Sequence, residues 1–108
     1  MSAPAAAPIR LRARCQNGVT DVTVLMPHPM ETGLLKDAAG AFKPAHYITD
    51  VRIALGARTV LQARMSIAVS QDPLLAFRFR GGAPGERLRA TWTDNRGEQR
   101  SDDTAIVG

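Results

Sequence analysis

The chain has 108 residues, 44% of them hydrophobic and 22% charged. That size suits one small domain with one modest core and argues against a deep cleft between two lobes. Fourteen basic residues stand against ten acidic ones, a net charge of +4, and twelve of the fourteen are arginine. Such a balance suits a solvated arginine-rich face, and it also invites an acidic partner, an anionic substrate or nucleic acid. The single cysteine, Cys15, rules out an intramolecular disulfide. No apolar run reaches the ~20 residues of a membrane span. The stretch "MSAPAAAPIR" also lacks the basic and then apolar regions of an export signal, so composition alone points to the cytoplasm.

Residues 1–8 carry no charge and no period and read as a flexible tail ahead of a single domain over 9–108. "IRLRARC" (9–15) alternates strictly, with Ile9, Leu11, Ala13 and Cys15 on one face and Arg10, Arg12 and Arg14 on the other. That is a half-buried strand. Asn17-Gly18 is a tight-turn signal, and "VTDVTVLM" (19–26) is a second, β-branched strand. Residues 27–45 hold three prolines and two glycines and read as a long loop with a turn at "KDAAG". "HYITDVRIAL" (46–55) alternates with Tyr47, Thr49, Val51, Ile53 and Leu55 on one side and His46, Ile48, Asp50 and Arg52 on the other. "TVLQARM" (59–65) is its return strand, and "SIAVSQDP" (66–73) runs into a loop.

In "LLAFRFR" (74–80), Leu75, Phe77 and Phe79 oppose Arg78 and Arg80. A loop "GGAPGE" (81–86) leads to "RLRATWT" (87–93), with Leu88, Ala90 and Trp92 inward. "DNRG" (94–97) signals a turn and "EQRSDDTAIV" (98–107) a last, weaker strand. Seven short strands separated by Gly, Pro and Asn turns predict an all-β antiparallel sandwich or barrel whose sheets each expose one face.

The richest stretch chemically is "MPHPMETG" (26–33), a histidine between two prolines followed by a methionine, a carboxylate, a hydroxyl and a glycine. A zinc site needs three or four ligands. Cys15, His28, His46 and Asp50 are the candidates, but they follow no recognised metal spacing, so no metal or other cofactor is expected. For His28 as a general base, Glu31 or Asp50 is the available orienting partner, and a Cys15–His28 dyad is the nucleophilic alternative. The plainer reading is structural. Pro27 and Pro29 hold Met26 and His28 in extended conformations, Gly33 permits a turn, and Cys15 is a small core residue. "RFRGG" (78–82) has the look of an RNA-binding Arg-Gly-Gly segment. Its phenylalanines alternate with its arginines, however, where a nucleic-acid sheet puts both on one exposed face. "GGAPGE" lacks the lysine and following helix of a phosphate loop.

Taken together, "HPMETG" with "KD" (36–37), "PAHYI" (44–48), "DPLLAFRFRGG" (72–82) and "ATWTDNRGE" (90–98) resemble the SoxZ family over most of the chain, from about Val19 onward. Pro27 and the 1–8 segment depart from the family's pattern. The resemblance implies an immunoglobulin-like β-sandwich and a non-enzymatic subunit of the bacterial thiosulfate-oxidation carrier. It implies pairing with a SoxY subunit, whose cysteine in a Gly-Gly-Cys-Gly-Gly tail carries the sulfur covalently while other Sox enzymes act on it. Here the sequence runs to "DDTAIVG", and Cys15 does not match the carrier motif. The resemblance also implies a periplasmic setting reached with the partner's signal, which replaces the cytoplasmic expectation and permits a disulfide from Cys15 to the partner. His28, Pro29, Met30, Glu31, Phe77 and Phe79 are the candidate residues for docking a partner or client enzyme. The alternative function is a small basic β-barrel that binds nucleic acid.

Overall fold

A computed structural model describes residues 7–108, so most of the 1–8 tail lies outside the described residues. Seven strands form: β1 (Arg10–Gln16), β2 (Val19–Leu25), β3 (Ile48–Leu55), β4 (Arg58–Arg64), β5 (Leu74–Arg80), β6 (Arg87–Asp94) and β7 (Gln99–Ala105). They make two antiparallel sheets, β1-β2-β5 and β4-β3-β6-β7. The all-β sandwich predicted from alternation is therefore what folds. The fourth strand sits beside β3 at the edge of the larger sheet, whereas in an immunoglobulin constant domain it joins the other one.

The central strands present their apolar phase to the space between the sheets. Val22 and Val24 of β2, Val51 and Ile53 of β3, and Leu88, Ala90 and Trp92 of β6 are all buried. Met26, Ile48 and Ile106 complete the core from the strand ends. The β1–β2 connection is a two-residue turn with Asn17 at φ 54° and Gly18 at φ 75°. Two positive φ values give the turn whose twist matches that of its flanking strands, which is why Asn-Gly stands there.

The predicted phase of the third strand fails at its start. The expectation set Tyr47 and Thr49 on the same side as Val51, and Ile48 on the opposite side. Ile48 is in fact fully buried, because the pairing with β6 slips between Ile48 and Asp50. One extra residue in a bulge lets Ile48 and Val51, an odd number apart, both face the core.

The sandwich is closed on one side and open on the other. Val107 lies parallel to Arg14, and its backbone bonds Cys15 N–H and Ala13 C=O, covering the free edge of β1. On the opposite side β4 and β5 both stand as edges. There, the Arg58 guanidinium donates to the Arg80 carbonyl at 3.2 Å.

The long loop after β2 is an organised excursion. At its root Glu31 and His46 exchange backbone bonds of 2.7 and 2.9 Å. At its tip Lys36 pairs with Phe42 across the expected turn, where Asp37 Oδ1 accepts from the Ala39 and Ala41 amides. Leu34, Leu35 and Phe42 project from it, 70%, 57% and 63% exposed.

Candidate functional site

The chain has two histidines, and the fold brings both to one carboxylate. His28 follows β2 at the start of the excursion, His46 stands at its root, and Asp94 is the last residue of β6. His28 Nε2 lies 3.2 Å and His46 Nε2 2.8 Å from the same Asp94 Oδ2. His28 and Asp94 are 4% and 3% exposed. The two imidazoles meet edge to face with centroids 4.5 Å apart, and Trp92 stands perpendicular to His28 at 5.0 Å.

Local sequence sets each partner. Pro27 and Pro29 fix the backbone either side of His28, and the Asp72 carboxylate accepts from the His28 amide at 2.9 Å. Met30 takes φ 48°, which turns its amide back onto His28 Nδ1 at 3.1 Å. Asp94 keeps the inward phase of Leu88, Ala90 and Trp92. Its Oδ1 meanwhile accepts from the Arg96 and Glu98 amides at 2.9 and 3.0 Å, closing the "DNRG" turn. A single carboxylate thus ends a strand, shapes a turn and receives two histidines.

The Met30 N–H settles the proton on His28. Nδ1 accepts, so the ring hydrogen is on Nε2 and is donated to Asp94. Burial pushes the His28 pKa down, and the Asp94 bond only partly offsets it. Burial works against ionised Asp94, but bonds from His28, His46 and the Glu98 and Arg96 amides outweigh it. They hold the carboxyl below its ordinary range. The stable arrangement is a neutral His28 donating to a carboxylate.

The three ligand atoms lie within 4.8 Å of one another, close enough for one metal ion. The tautomer argues against it. A metal on His28 Nε2 would take the position of that proton, leaving either an imidazolate or a displaced Met30 amide. Metal-binding histidines ordinarily donate their second nitrogen to a neighbour, and here that nitrogen accepts. The cluster works as a proton-bridged latch that ties the root of the excursion to the end of β6.

The other candidate residues lie elsewhere. Glu31 does not orient His28; its carboxylate is 3.8 Å from Lys43. Asp50 faces outward, beside Thr49 Oγ1 and Arg64. Cys15 pairs with Thr20 next to the β1–β2 turn, and His28 lies beyond the far end of β2. Seven strand residues, roughly 23 Å, separate them, so no Cys–His dyad forms. The Cys15 thiol packs against the core and donates to the Gly82 carbonyl at 3.3 Å. Met30 is buried, its sulfur accepting from the Ile48 amide. Phe79 is buried and Phe77 half-buried, with rings 6.4 Å apart. Pro29 is exposed and Glu31 half-buried. Asp94 is the residue that sequence reasoning missed.

Fold and site together define a small all-β sandwich whose polar cluster serves the packing of a surface excursion. The family model of the sulphur oxidation protein SoxZ matches residues 9–105, and the chain belongs to that family. Among curated proteins none matches significantly. Two solved structures share the fold. A superoxide reductase in the oxidised state aligns with a TM-score of 0.62 at 13% identity, over 93% of this chain and 87% of that one. A reduced superoxide reductase (neelaredoxin) variant from Archaeoglobus fulgidus aligns with a TM-score of 0.59 at 16% identity, over 95% and 91%.

Proposed function

We propose that the chain is the non-catalytic scaffold subunit of a periplasmic sulfur carrier. It pairs with a SoxY subunit, whose terminal cysteine holds the sulfur substrate, and it helps to dock the Sox enzymes. The observation that carries this reading is the excursion between β2 and β3, which holds three large apolar side chains in water on a hydrogen-bonded frame. Exposed apolar groups on an ordered element mark an interaction site. Family membership supplies the setting of sulfur oxidation. The strand position of Cys15, half-buried against Gly82, suits a structural thiol better than a swinging carrier arm.

Of the candidate docking residues, His28, Met30 and Phe79 are buried. Their part in docking is to hold the excursion and the β5 edge in place. Contact falls to Leu34, Leu35 and Phe42 beside Pro29. Burying such a side chain is worth about 1.5 kcal/mol or more, so losing two weakens pairing by about 100-fold. Leu35→Ser with Phe42→Ser is therefore expected to abolish co-purification with the SoxY subunit while leaving the thermal midpoint of the isolated chain unchanged. Undiminished co-purification would remove the excursion from the interface.

A further inference from the structure

The outer face of the smaller sheet carries a positive excess as large as the net charge of the whole chain. In register across the smaller sheet, outward residues form the rows Arg10–Leu25–Leu74, Arg12–Thr23–Ala76, Arg14–Asp21–Arg78 and Gln16–Val19–Arg80. Five arginines and one aspartate give this face +4. The remaining nine basic residues (14 − 5) and nine acidic residues (10 − 1) cancel. Arg78 pairs with Asp21 at 2.5 Å. Among the described residues Arg10, Arg12, Arg14 and Arg80 have no carboxylate within ion-pair distance. On the outer face of the other sheet Arg64 pairs with Asp50, and Arg87 and Arg89 with Asp103, while Arg52 donates to Thr59 Oγ1 and has no carboxylate among the described residues.

We propose that the outer face of β1-β2-β5 is a transient docking surface for a protein partner that presents carboxylates. Arg10, Arg12 and Arg14 repeat at every second residue, about 6.7 Å apart, the spacing of same-face side chains on an extended strand. The guanidinium fork matches carboxylate oxygens in pairs. A groove of about 380 Å³ between β1 and residues 104–107 is lined in part by Arg12 and Arg14 and gives a partner side chain a recess. Nucleic acid fits less well, because the four rows contain no aromatic residue on which a base could stack.

Size fixes the lifetime. Three strands of seven residues present roughly 14 by 23 Å, about 330 Å², well short of the ~800 Å² per partner in a stable complex. Charge on so small a face speeds encounter more than it prolongs residence. The inference stands apart from the pairing proposed above, because the isolated chain tests it.

The probe is a fluorescein-labelled peptide alternating glutamate and threonine over about ten residues, which displays carboxylates at strand spacing. Its anisotropy is titrated with the full chain at ~20 mM and ~200 mM salt, against oligothymidylate of similar length. We expect binding to the peptide that weakens about ten-fold or more with salt, and equally in Arg12→Glu with Arg14→Glu. Arg52→Glu with Arg64→Glu, the same charge change on the other sheet, should bind like the parent. The proposal is overturned if both double variants weaken alike, since net charge alone then suffices. It is also overturned if the peptide does not bind, or if the oligonucleotide binds more tightly than the peptide.

Discussion

Three single residues, Gly82, His28 and Asp94, carry stability out of proportion to their size. Gly82 sits at φ 81°, and a Cβ there would stand 2.4 Å from Thr20 Oγ1 and 3.0 Å from Ile106 Cδ1. Thr20 is fully buried and fixed by its bond to the Gly81 carbonyl at 2.7 Å, so it has nowhere to move. Gly82→Ala combines a left-handed backbone with overpacking and should cost about 2–4 kcal/mol in a denaturant titration. His28 works through protonation. Its folded pKa is lowered from 6.5, so the unfolded chain takes up a proton first as pH falls. The stability it contributes is present above ~6.5 and lost below it. Asp94 acts in the same direction at lower pH: its contribution holds above the ordinary carboxylate range and disappears as pH falls through its depressed folded value. The thermal midpoint should fall from pH ~7.5 to ~5.5, and His28→Gln, which keeps a donor for Asp94 without titrating there, should flatten that slope. Trp92, the only tryptophan, stands against His28 and reports the transition by its emission. An unchanged slope in the variant would assign the pH dependence to other groups.

At the scale of elements, what was legible follows from which faces are wet. Strands β1, β5 and β6 each have one face in water, so arginine and apolar residues alternate and their inward sets were readable directly. The start of β3 was not. A bulge changes phase without changing residue type, and nothing in "HYITDV" marks Thr49 as the extra residue. Asp94 was hidden for a different reason. Asp-Asn-Arg-Gly is a turn signal, and the turn is real, so the carboxylate read as surface. The inward run Leu88, Ala90, Trp92 continues to Asp94 at period two, which is the one local clue. Its partner His28 is 66 residues away, a pairing that only the assembled sandwich brings together. The excursion shows the converse. Its composition reads as loop, yet backbone bonds at root and tip make it a frame for exposed Leu34, Leu35 and Phe42.

For the whole molecule, the sandwich separates three surfaces. The β1 edge is covered by Val107, the β4 and β5 edges are open, and the outer face of the smaller sheet carries five arginines against one aspartate. Such a division suits a subunit that holds one partner through apolar contact and meets others by charge. Strand count, sheet alternation and family were legible because long-range pairing is not needed to see them. The distribution of the arginines was not, since +4 is a sum and only the strand register shows where it resides. The proposed scaffold role requires that the sulfur is never carried on this chain. Mass spectrometry of the purified complex after exposure to thiosulfate and the Sox enzymes tests that directly. Adducts are expected on the cysteine of the partner, with Cys15 unmodified and full turnover in Cys15→Ser; a sulfur adduct on Cys15 that rises and falls with turnover would overturn the scaffold role.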